Sequence, residues 1–116
     1  MAPAVYMLYG TQCIALENGR PDSTVRFPQT LTNIKAETFK HCPLLVTMIF
    51  NECHALKVIE GEAFYACKSL QTLELHSCGT LNEIGCDAIH GCRSLKQVTL
   101  SFCLTTLQAS AFNRCG

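Results

Sequence analysis

The sequence predicts an α/β solenoid, with short parallel strands on a concave face and turns with short helical or 3-10 segments on the convex face. Three observations predict it. The first is a 25-residue repeat: the stretch Leu56 to Cys78 overlays Leu31 to Cys53 and Leu81 to Cys103, and an incomplete copy follows from Leu104 to Cys115. Self-similarity at such a period marks stacked units that bury a shared core only together. The second is that the apolar residues keep their columns. Leu31, Leu56, Leu81 and Leu104 open the copies; Ile34, Ile59, Ile84 and Leu107 follow; then come Phe39, Phe64, Ile89 and Phe112, and after them Cys42, Cys67, Cys92 and Cys115. The third is a change of period to two at Thr47 to Phe50, Thr72 to Leu75 and Gln97 to Leu100, the mark of strands with one buried and one open face.

Taken in order, residues 1–23 are expected to be an N-terminal cap or a degenerate first repeat. Val5 to Tyr9 is apolar and aromatic enough for a strand, and Asn18-Gly19 and Pro21-Asp22 are turn pairs. Residues 24–116 carry about 3.5 to 4 coils, the last incomplete. Thr24 to Phe27 is the first strand in register, because Val25 and Phe27 fall in the columns of Met48 and Phe50. Glu62 to Cys67 and its copies are each long enough for one helical turn or a 3-10 piece, and too short for an amphipathic helix. The last step, Leu81 to Leu104, is 23 residues, since the pairs His54-Ala55 and Gly79-Thr80 have no counterpart after Cys103. Insertions at one fixed place map to a loop on one edge.

Composition narrows the function. Formal charge is zero and only 16% of residues are charged, without a Lys/Arg cluster, so a nucleic-acid surface is not expected. No apolar run reaches the length of a membrane span. The start, M-A-P-A-V-Y-M-L-Y-G, lacks a basic leader region. Of nine cysteines, seven stand in two repeat columns, where a thiol acts as a small buried hydrophobe. This favours a reduced, intracellular, cytoplasmic protein over a disulfide-stapled one, with the cell surface as the alternative.

The unit L-x-x-I-x-x-x-A-F-x-x-C-x-S-L-x-x-L-x-L resembles the BspA-like leucine-rich repeat family. Ala63-Phe64-x-x-Cys67-x-Ser69-Leu70 carries the full signature, and Ala111-Phe112-x-x-Cys115 carries half of it. Thr38, Ile89 and Pro43-Leu44 depart from it. The resemblance implies a non-enzymatic binding or scaffold solenoid, with cell-surface adhesion as the alternative.

The residues themselves point the same way. All four histidines lie within two positions of a cysteine, yet the paired C-x(2–4)-C spacing of structural zinc sites does not occur. No nucleophile–base–orienting arrangement is legible either. No catalytic residue, metal site or cofactor is therefore expected. Cys86 replaces Ala36 and Gly61 of other copies and is expected near the convex surface. The open strand face is the expected partner-binding surface: Arg26, Ile49, Glu74 and Thr99 in a central row, Thr47, Thr72 and Gln97 on one side, Asn51, His76 and Ser101 on the other. Leu104, Leu107 and Phe112 would form a C-terminal end with no coil stacked on it, an apolar surface for docking on a protein partner, a larger complex or a second copy. The expected function is a non-catalytic protein–protein interaction module or scaffold subunit.

Overall fold

The protein was analysed as a computed structural model, which describes residues 6–9, 12–15, 24–27, 29–50, 54–101, 103–108 and 110–115. Its strands form two sheets. Thr24–Arg26 (β3), Thr47–Ile49 (β5), Thr72–Glu74 (β7) and Gln97–Thr99 (β9) make one, ordered β3-β5-β7-β9 and parallel throughout. Tyr6–Tyr9 (β1), Gln12–Ala15 (β2), Asn33–Ile34 (β4), Val58–Ile59 (β6), Glu83–Ile84 (β8) and Thr106–Leu107 (β10) make the other. There β1 and β2 form an antiparallel hairpin, and every later pairing is parallel. From β2 onwards the chain visits the two sheets alternately, so each full coil gives one strand to each. The register is the sequence repeat itself: Thr47 pairs with Thr72 and Thr72 with Gln97, while Ile34 pairs with Ile59 and Ile59 with Ile84.

The three-residue strands fall where period two predicts them, each one residue shorter than expected. Two elements were not expected. The Leu-x-x-Ile segments pair as two-residue strands, and Gln12–Ala15 joins the six-stranded sheet through Gln12↔Asn33 and Cys13↔Ile34. Two residues are too few to show a period, which is why this second sheet is silent in the sequence.

The expected helical and 3-10 segments are turns instead, and no helix occurs among the described residues. Hydrogen bonding explains the difference. The amides of Glu62, Phe64 and Ala66 donate to the next coil, at the carbonyls of Cys86, Ala88 and His90 (3.0, 2.7 and 2.7 Å). The amides between them, Ala63, Tyr65 and Cys67, donate three residues back within the coil, to Glu60, Glu62 and Phe64. Half of the donors a helix would need are thus spent along the stack. The conformation requires two left-handed residues per coil, four apart: Glu37, Glu62, Asp87 and Ser110 (φ 56–64°), then His41, Ala66, Gly91 and Arg114 (φ 56–77°). Glycine fills only one of these positions.

The predicted columns form the core. Leu31, Leu56, Leu81, Ile34, Ile59, Ile84, Phe39, Phe64 and Ile89 are wholly buried. The rings of Phe39 and Phe64 stack at 5.5 Å between centroids and 4° between planes, and Phe27 meets Phe39 edge-on at 5.8 Å. Burying each such side chain contributes about 1.5–3 kcal/mol. The cysteine column does more than fill space. Cys67 Sγ donates to the Phe39 carbonyl (3.0 Å), Cys92 to Phe64 (3.3 Å) and Cys115 to Ile89 (2.9 Å). Each thiol therefore ties its coil to the backbone of the preceding one, which a methyl group of similar size would not do. Of the departures from the repeat, Thr38 is buried with its hydroxyl satisfied by the Lys35 carbonyl at 2.7 Å, and Leu44 lies exposed.

One core expectation fails. Leu100, assigned to the buried column of Phe50 and Leu75, is 43% exposed, against 2% and 0% for those two. It directly follows β9, the edge strand of its sheet, so no neighbouring strand covers it.

Candidate interaction surface

The four-stranded sheet presents the side chains that alternate with its buried residues. Because β5, β7 and β9 pair without a shift, Thr47, Thr72 and Gln97 form one row, and Ile49, Glu74 and Thr99 the next. Met48 and Leu73 between them point into the core, at 3% and 0% exposure. Glu74, His76 and Gln97 are exposed, and Thr47, Ile49, Thr72 and Thr99 are half-buried. The strand backbone places Arg26 beside Ile49 in the central row. The surface is therefore assembled from three or four coils, each contributing two or three side chains.

Its third row is less regular. His76 stays on the surface, where its Nδ1 lies 3.0 Å from the Thr99 hydroxyl. Ser101, expected beside it, is buried at 7% exposure and is not part of the open face. Its Oγ accepts the Cys103 amide at 3.1 Å; a side chain held back on its own turn cannot project outwards. Asn51 lies outside the described residues. Ser77, which the sequence did not single out, crosses between coils to donate to the Phe50 carbonyl at 3.0 Å. Thr47, Ile49, Thr72, Glu74, His76 and Ser77 enclose a shallow depression of about 370 Å³ on this face.

The C-terminal coil presents a different surface. Leu107 is 52% exposed, and Leu104 and Phe112 are partly covered. Phe112 joins Leu95, Val98, Leu100 and Cys115 around a mostly apolar cleft of about 360 Å³. Leu95 and Val98 fall at repeat positions whose counterparts Leu70 and Leu73 are wholly buried. Leucine and valine at the last register positions look identical in sequence to their buried counterparts, so only the stacking order reveals them.

On the turn side, charges pair from coil to coil. Lys35 meets Glu60 at 3.2 Å, and Lys40 meets Glu62 at 2.7 Å beneath the Tyr65 ring. Its hydrogen bond to Glu62 raises the Lys40 pKa above the ordinary lysine value. Tyr65 stacks on His90 at 5.0 Å, and His41 packs edge-on against Tyr65. The repeat column directly after the phenylalanine (Lys40, Tyr65, His90) was the available signal for this ladder. Cys86 is exposed, as its place in the repeat implies, and so is Cys103, while Cys42, Cys67, Cys78 and Cys92 are buried. A hydrogen bond with Cys92, followed by burial, pushes the Cys67 thiol up, and burial raises Cys115. The same hydrogen bond lowers Cys92, whose sulfur is fully buried, so the raised thiols at Cys67 and Cys115 are packed sulfurs and not activated nucleophiles. Among the described residues, no three His, Cys, Asp or Glu side chains converge as a metal site would require.

Comparison with known proteins agrees with this architecture. A family model described as the BspA type leucine rich repeat region, in six copies, matches residues 15–116. Among solved structures, the chain is similar to the crystal structure of the pneumococcal vaccine antigen PcpA, with a TM-score of 0.71 and 25% identity. That likeness covers 90% of this chain and 26% of the other, so the chain spans about a quarter of that protein's length. No curated protein matches.

Proposed function

Because the chain belongs to the BspA-type leucine-rich repeat family, we propose that it is a non-catalytic protein-interaction module, a solenoid serving as a scaffold subunit of a larger assembly. It engages protein partners through the four-stranded face and through the C-terminal end at Leu104, Leu107 and Phe112. The observation that carries this reading is the in-register strand face, on which Ile49, Glu74, His76, Gln97 and Thr99 from three coils form one surface. Extended faces built in this way are how repeat proteins collect binding area that one coil cannot supply. Residues 1–23 act as the cap at the other end, a role supported by the β1–β2 hairpin on the edge of the six-stranded sheet.

Cross-linking and capture from the native source, with wild type beside the double change Ile49→Lys and Glu74→Lys, tests the face. The substitutions are partly or fully exposed, so the fold should persist while capture of the partner is lost. Undiminished capture would move the site to the turn side or the end. For the end, light scattering over a dilution series should show self-association that Leu107→Glu weakens. A monomer at every concentration counts against a second copy as the docking partner.

We place the protein inside the cell, a reading supported by the buried thiols at Cys42, Cys67, Cys78 and Cys92. The alternative, a cell-surface adhesion repeat, is favoured by the likeness to a vaccine antigen. Titration of thiols in the native-source protein under denaturing conditions separates them: nine free thiols fit the intracellular reading, and bridged ones the surface reading.

A further inference from the structure

We infer that the depression between β5 and β7 receives a cationic side chain, lysine or arginine, from an extended segment of a protein partner. This inference rests on the strand face being the binding surface and adds what that surface selects. Its central group is Glu74, which is exposed and carries no ion pair or hydrogen bond among the described residues. The other described carboxylates have partners nearby: Glu60 pairs with Lys35, Glu37 and Glu62 with Lys40, Glu83 accepts from the Gln108 amide, and Asp87 lies 3.5 Å from His90 Nδ1. One negative charge without a side-chain partner among the described residues thus stands among neutral hydroxyls, an amide, an imidazole and Ile49, with Arg26 two strands away in the same row.

The surroundings suit an amphipathic cation. Ile49 lies beside Glu74, in the neighbouring strand of the same row, and offers an apolar bed for methylene groups. Lysine and arginine bury their stems in this manner while keeping the charge at a polar rim. Around it, the Thr47 and Thr72 hydroxyls add acceptors in the adjacent row. The His76 ring is held by Thr99 at Nδ1, and Ser77 is held by the Phe50 carbonyl, so the walls are oriented before a ligand arrives. An acidic or purely apolar side chain would leave Glu74 repelled or desolvated without a partner.

The test uses the isotopically labelled chain and two acetylated, amidated peptides, Ser-Val-Arg-Val-Ser and the same sequence with neutral citrulline for arginine. Amide shifts at Ile49, Glu74 and His76 should saturate with the arginine peptide, and the citrulline peptide should bind about two- to fivefold more weakly, as expected for one charge-assisted contact at an exposed site. Glu74→Gln should abolish that preference and leave the rest of the spectrum in place. Equal binding of the two peptides on these residues overturns the cation preference while leaving the strand face as the site. Shifts confined to other surfaces, no shifts, or an undiminished preference in Glu74→Gln overturn it as well. The strand face itself is then judged separately, by capture with the Ile49→Lys, Glu74→Lys double variant.

Discussion

Replacing Phe64 by alanine is the sharpest perturbation of the stack. The side chain is wholly buried and stacks on Phe39 at 5.5 Å, with the ring planes nearly parallel. Its backbone bonds to Ala88 and from Cys92 Sγ involve main-chain atoms and survive the change, so the loss is packing alone. Truncating a buried phenylalanine costs about 3–5 kcal/mol, with the stacked ring pair accounting for about 0.5–1.5 kcal/mol of that. Phe112 occupies the same repeat column but is only partly covered, in the last coil. Its truncation should cost about 1–2 kcal/mol. A domain of this size has about 5–15 kcal/mol in total, so Phe64→Ala consumes a large share of it, while Phe112→Ala trims it. Urea denaturation followed by far-ultraviolet circular dichroism, with reductant present, measures both from the midpoint and slope. A loss below about 1.5 kcal/mol for Phe64→Ala, or equal losses for the two variants, would refute the reasoning that burial grades along one shared column.

Further expectations concern backbone, protons and thiols. A methyl group at Gly85 would come within 2.5 Å of the Gly61 nitrogen and 2.9 Å of the Glu60 carbonyl carbon. Gly85→Ala should therefore destabilise by about 1–3 kcal/mol through backbone overpacking, and an unchanged urea midpoint would contradict that close approach. At Gly91 an added Cβ meets nothing nearer than 3.6 Å, but the residue sits at φ +77°. Gly91→Ala should cost about 1 kcal/mol, and Ala66→Gly at φ 58° should return a similar amount; the opposite signs are the check. Folding holds the Cys67 and Cys115 thiols above the ordinary value of 9.0. At these two sites the folded chain binds more protons than the unfolded one at alkaline pH, so their contribution is complete below about 9 and declines as pH rises further, an effect offset in part by Cys92, which the hydrogen bond with Cys67 lowers. Urea midpoints that stay level or rise from pH 8 to pH 10 would contradict this. Finally, a thiol reagent applied to the native protein and mapped by mass spectrometry should modify Cys86 and Cys103 well before Cys42, Cys67, Cys78 and Cys92; early modification of Cys67 would be inconsistent with its burial.

The repeat made the core legible because stacked repeats copy one packing environment from unit to unit. Leu31, Ile34, Phe39 and their counterparts were found by column alone, and the strands at Thr47, Thr72 and Gln97 by period two. What the sequence hid follows from elements too short or too permissive to leave a pattern. Strands of two residues at Asn33–Ile34 and Val58–Ile59 exist through pairing with neighbouring coils, which a local window cannot see. The left-handed columns carry Glu, Asp, Ser, His, Ala and Arg beside a single glycine, so the usual glycine marker is missing and the turns read as helical. Ser101 matched its row by register, yet a local hydrogen bond turned it inward. Leu100 matched its column, yet the edge position left it exposed. Columns tell which residues are equivalent; they do not tell which coil has a neighbour.

The measurement closest to the central claim is a nuclear Overhauser experiment on the selectively phenylalanine-labelled protein. Contact between the rings of Phe39 and Phe64, 25 residues apart in sequence and 5.5 Å apart in the fold, should appear, together with contact between Phe27 and Phe39 and none between Phe39 and Phe112. Absence of the first contact, or a cross-peak between Phe39 and Phe112, would contradict coils stacked in sequence order.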